Sequence, residues 1–174
     1  NAEDATSIEI PADFDYFRLV FETYRALRRK GLNIDIVPAT ITDLSDYKLV
    51  LAPGLITVTG ALQTALRDSG AICVLGPRTN AKTPQMATPV PLPPALEGLD
   101  ATIFQVESLP PGVEVPLADG GAFLHWFEHL EGAAEVACRT ADGQPAIVRA
   151  DRVHYLAGWP DRLAWREILQ TLCN

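Results

Sequence analysis

Lys48–Ala52 (KLVLA) and Ala71–Leu75 (AICVL) decide the fold. Apart from Lys48 both runs are continuously apolar, and each ends on a turn pair, Pro53-Gly54 and Gly76-Pro77. A strand with one wet face would alternate; an unbroken apolar run suits a parallel strand covered on both faces. Between the two runs, Thr59–Arg67 has a helical pattern stopped by Ser69-Gly70. Ahead of them, Asp15–Lys30 predicts a helix with Phe17, Val20, Phe21, Tyr24 and Leu27 on one face and Gly31 as its stop. Asn33–Val37 (NIDIV) then reads as a short strand. Helix, strand, helix, strand implies right-handed crossovers and a parallel sheet with helices on both faces. The expectation is a three-layer, doubly wound α/β fold with a mostly parallel sheet, of flavodoxin-like type.

Further along, the character changes. Thr79–Pro94 holds five of the chain's 14 prolines, so it reads as a long irregular loop, a candidate interface or a surface excursion without a role. Thr102–Glu107 alternates and predicts an extended piece; Ala122–Leu130 (AFLHWFEHL) is ambiguous between helix and strand. Ala134–Thr140 and Ala146–Ala150 flank Asp142-Gly143, a strong hairpin signal. Arg152–Ala157 predicts one more strand, and Asp161–Leu172 a helix with Asp161 as N-cap. The C-terminal half therefore adds antiparallel strands to the sheet.

The 174 residues suit a single domain, 1–174, with Asn1-Ala2 resembling an expression-vector scar at the start of a segment cut from a longer chain. Fourteen cations against 22 acids give a net charge of −8, which argues against a nucleic-acid partner because phosphate neutralisation needs a basic face. The one dense basic run, Arg25, Arg28, Arg29 and Lys30, falls at a predicted helix C-terminus, where cations complement the dipole. No apolar run approaches the roughly 18–20 residues of a membrane span. Cys73, Cys138 and Cys173 are odd in number and far apart, which points to a reducing, cytoplasmic setting.

The residues carry no recognisable catalytic signature. A nucleophile elbow of the form G-x-S/C-x-G is absent, and Cys73 sits among β-branched neighbours, where its thiol would be buried and inert. His125 and His129 are four apart, but Trp126 stands where a zinc protease helix needs Glu, and the nearby Glu128 and Glu131 come with no third ligand. His125, His129 and His154 read as solvated or edge histidines. No catalytic, cofactor-binding or metal-binding residue is assigned. Gly76–Asn80 follows a strand, where α/β proteins place ligand loops, and Arg78 there suits an anion or, better, a carboxylate across an interface. Phe14, Tyr16 and Phe17 form an aromatic patch at the start of the first helix. Trp126 and Trp159 have the faces to stack on a sugar ring, though most such residues are core or interface. Phe14, Tyr16, Phe17, Arg78 and Trp159 are the candidate interface residues.

Phe14–Lys30 (FDYFRLVFETYRALRRK) with Gly31–Val37 (GLNIDIV), Tyr47–Pro53 (YKLVLAP), Gly70–Thr79, Gly143–Ala150 (GQPAIVRA) and Arg152–Pro160 (RVHYLAGWP) together resemble the trimerisation domain of bacterial β-galactosidases of glycoside hydrolase family 42. The resemblance implies a fold similar to class I glutamine amidotransferases without the catalytic cysteine. It also implies a homotrimer, and a parent enzyme that cleaves terminal β-galactosides with glutamates of a preceding barrel domain, so that the galactoside meets this domain only through the parent. The family's domain begins with a strand just before the position of Thr6–Ile10. Two other classes stay open on the residues alone: an amidotransferase-like hydrolase and a small-molecule binding module.

Overall fold

Asp15 opens the first helix, α1 (Tyr16–Arg29). Its Oδ1 accepts from the backbone N–H of Phe17 at 2.8 Å and of Arg18 at 3.3 Å, which satisfies two donors that have no partner within the helix. Arg28 and Arg29 occupy the last turn, at the negative end of the dipole. This is the first element of a computed structural model that describes residues 15–173. The expectations for Phe14, Thr6–Ile10 and Asn1-Ala2 lie outside those residues.

In chain order there follow β1 (Leu49–Pro53), α2 (Gly60–Asp68), β2 (Ile72–Gly76), β3 (Thr102–Ser108), β4 (Val115–Pro116) and β5 (Ala122–Glu131). After them come β6 (Glu135–Arg139), β7 (Pro145–Ala150), β8 (Val153–Leu156), β9 (Gly158–Pro160) and α3 (Arg162–Leu172). Thr59 and Asp161 cap α2 and α3 through side-chain oxygens, at 3.2 and 2.7 Å. The result is a mixed α/β architecture with two sheets. One is ordered β1-β2-β8-β7-β6, with β1, β2 and β8 parallel and β7 and β6 antiparallel. The other is antiparallel, β3-β5-β4, with β9 also on β5.

The KLVLA and AICVL runs are the parallel pair β1 and β2, in register from Leu49↔Ile72 to Pro53↔Gly76. Gly76 must be glycine: at φ +154° a Cβ would lie 2.5 Å from the Leu156 carbonyl oxygen. The Asp142-Gly143 hairpin joins β6 and β7, and the ambiguous Ala122–Leu130 resolves as the long strand β5. Helices α2 and α3 lie over opposite faces of the first sheet, since α2 faces Leu75 and Val153 while α3 faces Val74, His154 and Leu156.

Four expectations are corrected. The strands do not form one mostly parallel sheet: only three run parallel, and β3, β4, β5 and β9 form a separate antiparallel sheet. Asn33–Val37 is not a strand. It is extended but pairs with nothing among the described residues, and Ile36 is 80% exposed. Correspondingly, among the described residues β1 stands at the sheet edge, and it is half-buried throughout, not covered on both faces. The buried face of α1 is Leu19, Thr23 and Leu27, whereas Phe17 and Phe21 point outward at 81% and 57% exposure. This helix has two apolar stripes, and the aromatic one is the stripe that the core does not take.

The histidines are not solvated edges either. His129 lies 2.6 Å from Glu107 Oε1 on β3 and 2.6 Å from Gln144 Oε1 in the β6–β7 turn, so one imidazole links the two sheets. Acceptors on both neighbouring segments draw it inward. His125 stacks edge-on against Trp159, ring centroids 4.9 Å apart. His154 is half-buried on β8, and burial holds its pKa below the ordinary value.

Candidate assembly surface and the Arg78 loop

Phe17, Phe21, Tyr24 and Arg28 recur at i, i+4, i+7 and i+11, a single stripe along α1. At 100° per residue this stripe is centred about 130° away from that of Leu19, Thr23 and Leu27, so a helix pinned by its core face turns the aromatics outward. Tyr16 stands at the head of the helix on the Leu19 side, beside Gly54, with its ring centroid 5.8 Å from that of Phe17. The Arg25 guanidinium lies 5.6 Å from the Phe21 ring centroid. Exposed aromatics interleaved with arginine have the composition of protein interfaces, where aromatic residues and Arg are enriched.

The loop after β2 is built on a buried acid. Glu128 comes from β5 and is almost wholly buried. Its Oε1 accepts from the Arg78 backbone N–H at 2.8 Å and from Trp126 Nε1 at 3.0 Å, and its Oε2 accepts from the Tyr155 hydroxyl at 2.6 Å. Burial pushes the Glu128 carboxyl up, against the lowering effect of those three donors and of the Arg78 charge. Burial and the Glu128 charge push the Tyr155 phenol far up. Thr79 closes the turn: its hydroxyl lies 3.1 Å from both the N–H and the carbonyl of Gly76. Arg78 and Asn80 adopt φ of +66° and +56°, and Arg78 lays its guanidinium 5.2 Å from the Trp126 ring centroid.

The structure thus places the sequence candidates apart. Phe17 lies on the outer face of α1, and Tyr16 is half-exposed at the head of the helix on the side of Leu19. Arg78 is half-buried, and the carboxylate at its backbone is Glu128 of its own chain. Trp159 is fully buried, donating from Nε1 to Glu22 Oε2 at 2.9 Å, so it offers no ring face to a ligand. Trp126 is half-buried beneath Arg78. Sequence reasoning missed two groups. Phe21 stands in the sequence reading only as part of the helix's apolar face with Leu27, and Glu128 only as a neighbour of the histidines. The signal for Glu128 was present: a carboxylate in AFLHWFEHL has apolar neighbours on both strand faces and needs buried donors.

Nucleophilic or metal chemistry finds no footing at these residues. Burial raises the Cys73 thiol, and burial together with Asp119 pushes Cys138 up to about 11. Iodoacetamide should therefore label exposed Cys173 quickly and the other two only on unfolding, as mass spectrometry of the folded chain would read. Fast labelling of Cys73 would favour an amidotransferase-like hydrolase instead. Among the described residues no group of three His, Cys, Asp or Glu side chains is placed to hold a metal ion.

Comparison with known proteins gives these features a context. Residues 2–174 match the family model described as the β-galactosidase trimerisation domain. The chain is 38% identical over 154 residues to the β-galactosidase BgaA of a Thermus species, covering 86% of this chain and 24% of that protein. It is 34% identical over 181 residues to the β-galactosidase Bga of Halorubrum lacusprofundi, covering 86% of this chain and 25% of that protein. Among solved structures it superposes on the β-galactosidase of psychrophilic Marinomonas ef1 with a TM-score of 0.87 at 27% identity, over 92% of this chain and 25% of that one. On the enzyme of the Antarctic haloarchaeon Halorubrum lacusprofundi the TM-score is 0.84 at 32% identity, over 94% and 27%. The relatives include archaeal proteins, so the family is wider than the bacterial one expected from the sequence. The chain spans about a quarter of the length of the relatives it matches. On the match over residues 2–174, the chain belongs to the β-galactosidase trimerisation-domain family.

Proposed function

We propose that this chain is the non-catalytic assembly domain of a longer β-galactosidase, and that it helps to hold three copies of that enzyme together. The observation that carries the reading is the outward aromatic–arginine stripe of α1 in a chain of this family. Such a stripe costs solubility in a monomer and is explained by a partner that covers it. Tyr16 and Phe17 are the contacts proposed there, with Phe14 ahead of them. Arg78 is proposed as a second contact, its guanidinium held up on Trp126 over the Glu128 anchor; Trp159 acts from within, through the helix it holds. In this reading galactoside hydrolysis belongs to the part of the enzyme outside these 174 residues, and the substrate is a terminal β-galactoside.

The fold is read more finely as flavodoxin-like, related to glutamine amidotransferases. The β1, α2, β2 unit and the helices on opposite sheet faces support that reading. Three free cysteines, two of them buried, support a reducing cytoplasmic location. No helix among the described residues is long and apolar enough to cross a membrane. Two cavities of about 310 and 300 Å³ flank the first sheet.

Sedimentation equilibrium of the 174-residue chain tests the proposal. A trimer with no hydrolysis of nitrophenyl β-galactoside is the expected result. A chain that stays monomeric at 100 μM (about the weakest affinity worth calling assembly) would overturn self-assembly through this domain, and hydrolysis would overturn the non-catalytic reading.

A further inference from the structure

We infer that the trimer contact is heterologous: the aromatic–arginine face of α1 on one copy docks on the acidic corner around Tyr47 of the next copy. This rests on the trimer reading above and names its two surfaces.

The charge distribution is the first support. Residues 18–30 carry five of the chain's 14 cations (Arg18, Arg25, Arg28, Arg29 and Lys30) and one of its 22 acids, so the remainder has nine cations against 21 acids. The lone acid, Glu22, is already engaged by Arg18 at 3.0 Å and by Trp159. A second α1 laid against this face brings only Glu22 as a counter-charge, so a helix-to-helix contact lacks charge complementarity. The rest of the same chain is strongly acidic, so a second copy supplies the complement. Closed three-fold symmetry has the same requirement, because a ring of three joins two different patches on each subunit.

Exposed apolar side chains flanked by acids locate the other patch. Ile36 is 80% exposed and Val37 is exposed beside it. Asp35 accepts from the Tyr47 hydroxyl at 3.3 Å. Burial and the charges of Asp35 and Asp46 raise the Tyr47 phenol, which places both carboxylates at this corner. The other exposed apolar clusters fit less well. Met86, Val90 and Leu92 lie in a stretch with no acid between Thr79 and Leu96, and Glu107 beside Phe104 and Val106 is held by His129. The corner also accounts for segment 33–37, where Ile34 packs on the core while Ile36 and Val37 are left exposed.

A charge swap tests the pairing. Arg25→Glu with Arg28→Glu, and separately Asp35→Lys with Asp46→Lys, are each expected to raise the trimer dissociation constant at least about tenfold in sedimentation equilibrium. All four substitutions in one chain are expected to restore the trimer. Phe17→Ser, on a fully outward side chain, is expected to weaken the trimer while leaving the melting temperature unchanged, and serves if a charge variant misfolds. A wild-type chain that does not trimerise would sink the trimer reading and this pairing with it. A wild-type trimer that either double variant or Phe17→Ser leaves as tight, or that the fourfold variant does not recover, would overturn the pairing alone.

Discussion

Glu128→Ala should cost roughly 3–5 kcal/mol of folding stability, among the largest effects of any single substitution in the chain. The alanine removes both acceptors from three donors at once, the Arg78 N–H, Trp126 Nε1 and the Tyr155 hydroxyl. Water cannot replace them, because Glu128 and Tyr155 are both enclosed. Glu128→Gln behaves differently. Its amide oxygen still accepts from the two N–H groups, but its NH2 cannot accept from the Tyr155 hydroxyl, which adds a fixed cost. That cost does not vary between pH 4 and 8, so the pH dependence of the difference belongs to the desolvated charge. The folded carboxyl titrates above its ordinary value because burial disfavours the anion. As pH rises past about 4.5 the unfolded chain releases this proton while the folded chain keeps it, so the folded state binds more protons and loses stability. The penalty is absent below the ordinary value, grows by about 1.4 kcal/mol per pH unit, and levels off once the folded carboxyl has ionised. Urea denaturation of wild type and Glu128→Gln between pH 4 and 8 reads the difference directly. A difference that does not change with pH would show that Glu128 ionises in the folded chain as readily as in the unfolded one.

What was legible in the sequence were the elements whose local chemistry agrees with their surroundings. KLVLA and AICVL are apolar, bounded by turn pairs and paired in space, and in AICVL the unbroken pattern also matches the burial. Asp15, Thr59 and Asp161 cap helices through side chains that serve neighbouring amides, which is a local matter. Asp142-Gly143 specifies its hairpin by backbone geometry alone, with Gly143 at φ +93°. The misses occur where two environments compete for one segment. NIDIV has strand composition, but a strand exists only with a ladder partner, and composition does not say whether one is present. In α1 the stripes Phe17-Phe21-Tyr24 and Leu19-Thr23-Leu27 are both helical in period; the aromatic one is the more apolar, and the core takes the other. AFLHWFEHL has apolar residues on both faces because β5 is the middle strand of a sheet that β3, β4 and β9 share. That is also why its one enclosed acid became the anchor of a distant loop.

Trp159→Ala should be the second large loss, about 3–5 kcal/mol, since a fully buried indole leaves a cavity its neighbours cannot close. The more informative variant is Trp159→Phe. Trp159 sits on β9 opposite Leu124 of β5, and its Nε1 reaches across to Glu22 of α1. The Arg18 guanidinium lies 5.9 Å from its ring centroid. One side chain thus fastens the helix that carries the assembly face to the second sheet. Phenylalanine keeps most of the buried ring and removes the donor, while Glu22 retains Arg18 and partial access to water, so the expected global cost is only about 1 kcal/mol. The local effect should be larger than that figure suggests. The α1 amides are expected to exchange with solvent faster in Trp159→Phe, with α2 unchanged, because the Trp159 hydrogen bond is made to Glu22 of α1. Trimer affinity should fall in parallel, as a loosened α1 pays an ordering cost on docking. Glu22→Gln should reproduce part of the effect, and the double variant should fall short of the sum of the two, since both changes break the same hydrogen bond. Uniform acceleration of exchange across α1 and α2 would mean that Trp159 supports the whole fold, and that the orientation of the aromatic stripe is set by Leu19 and Leu27 alone.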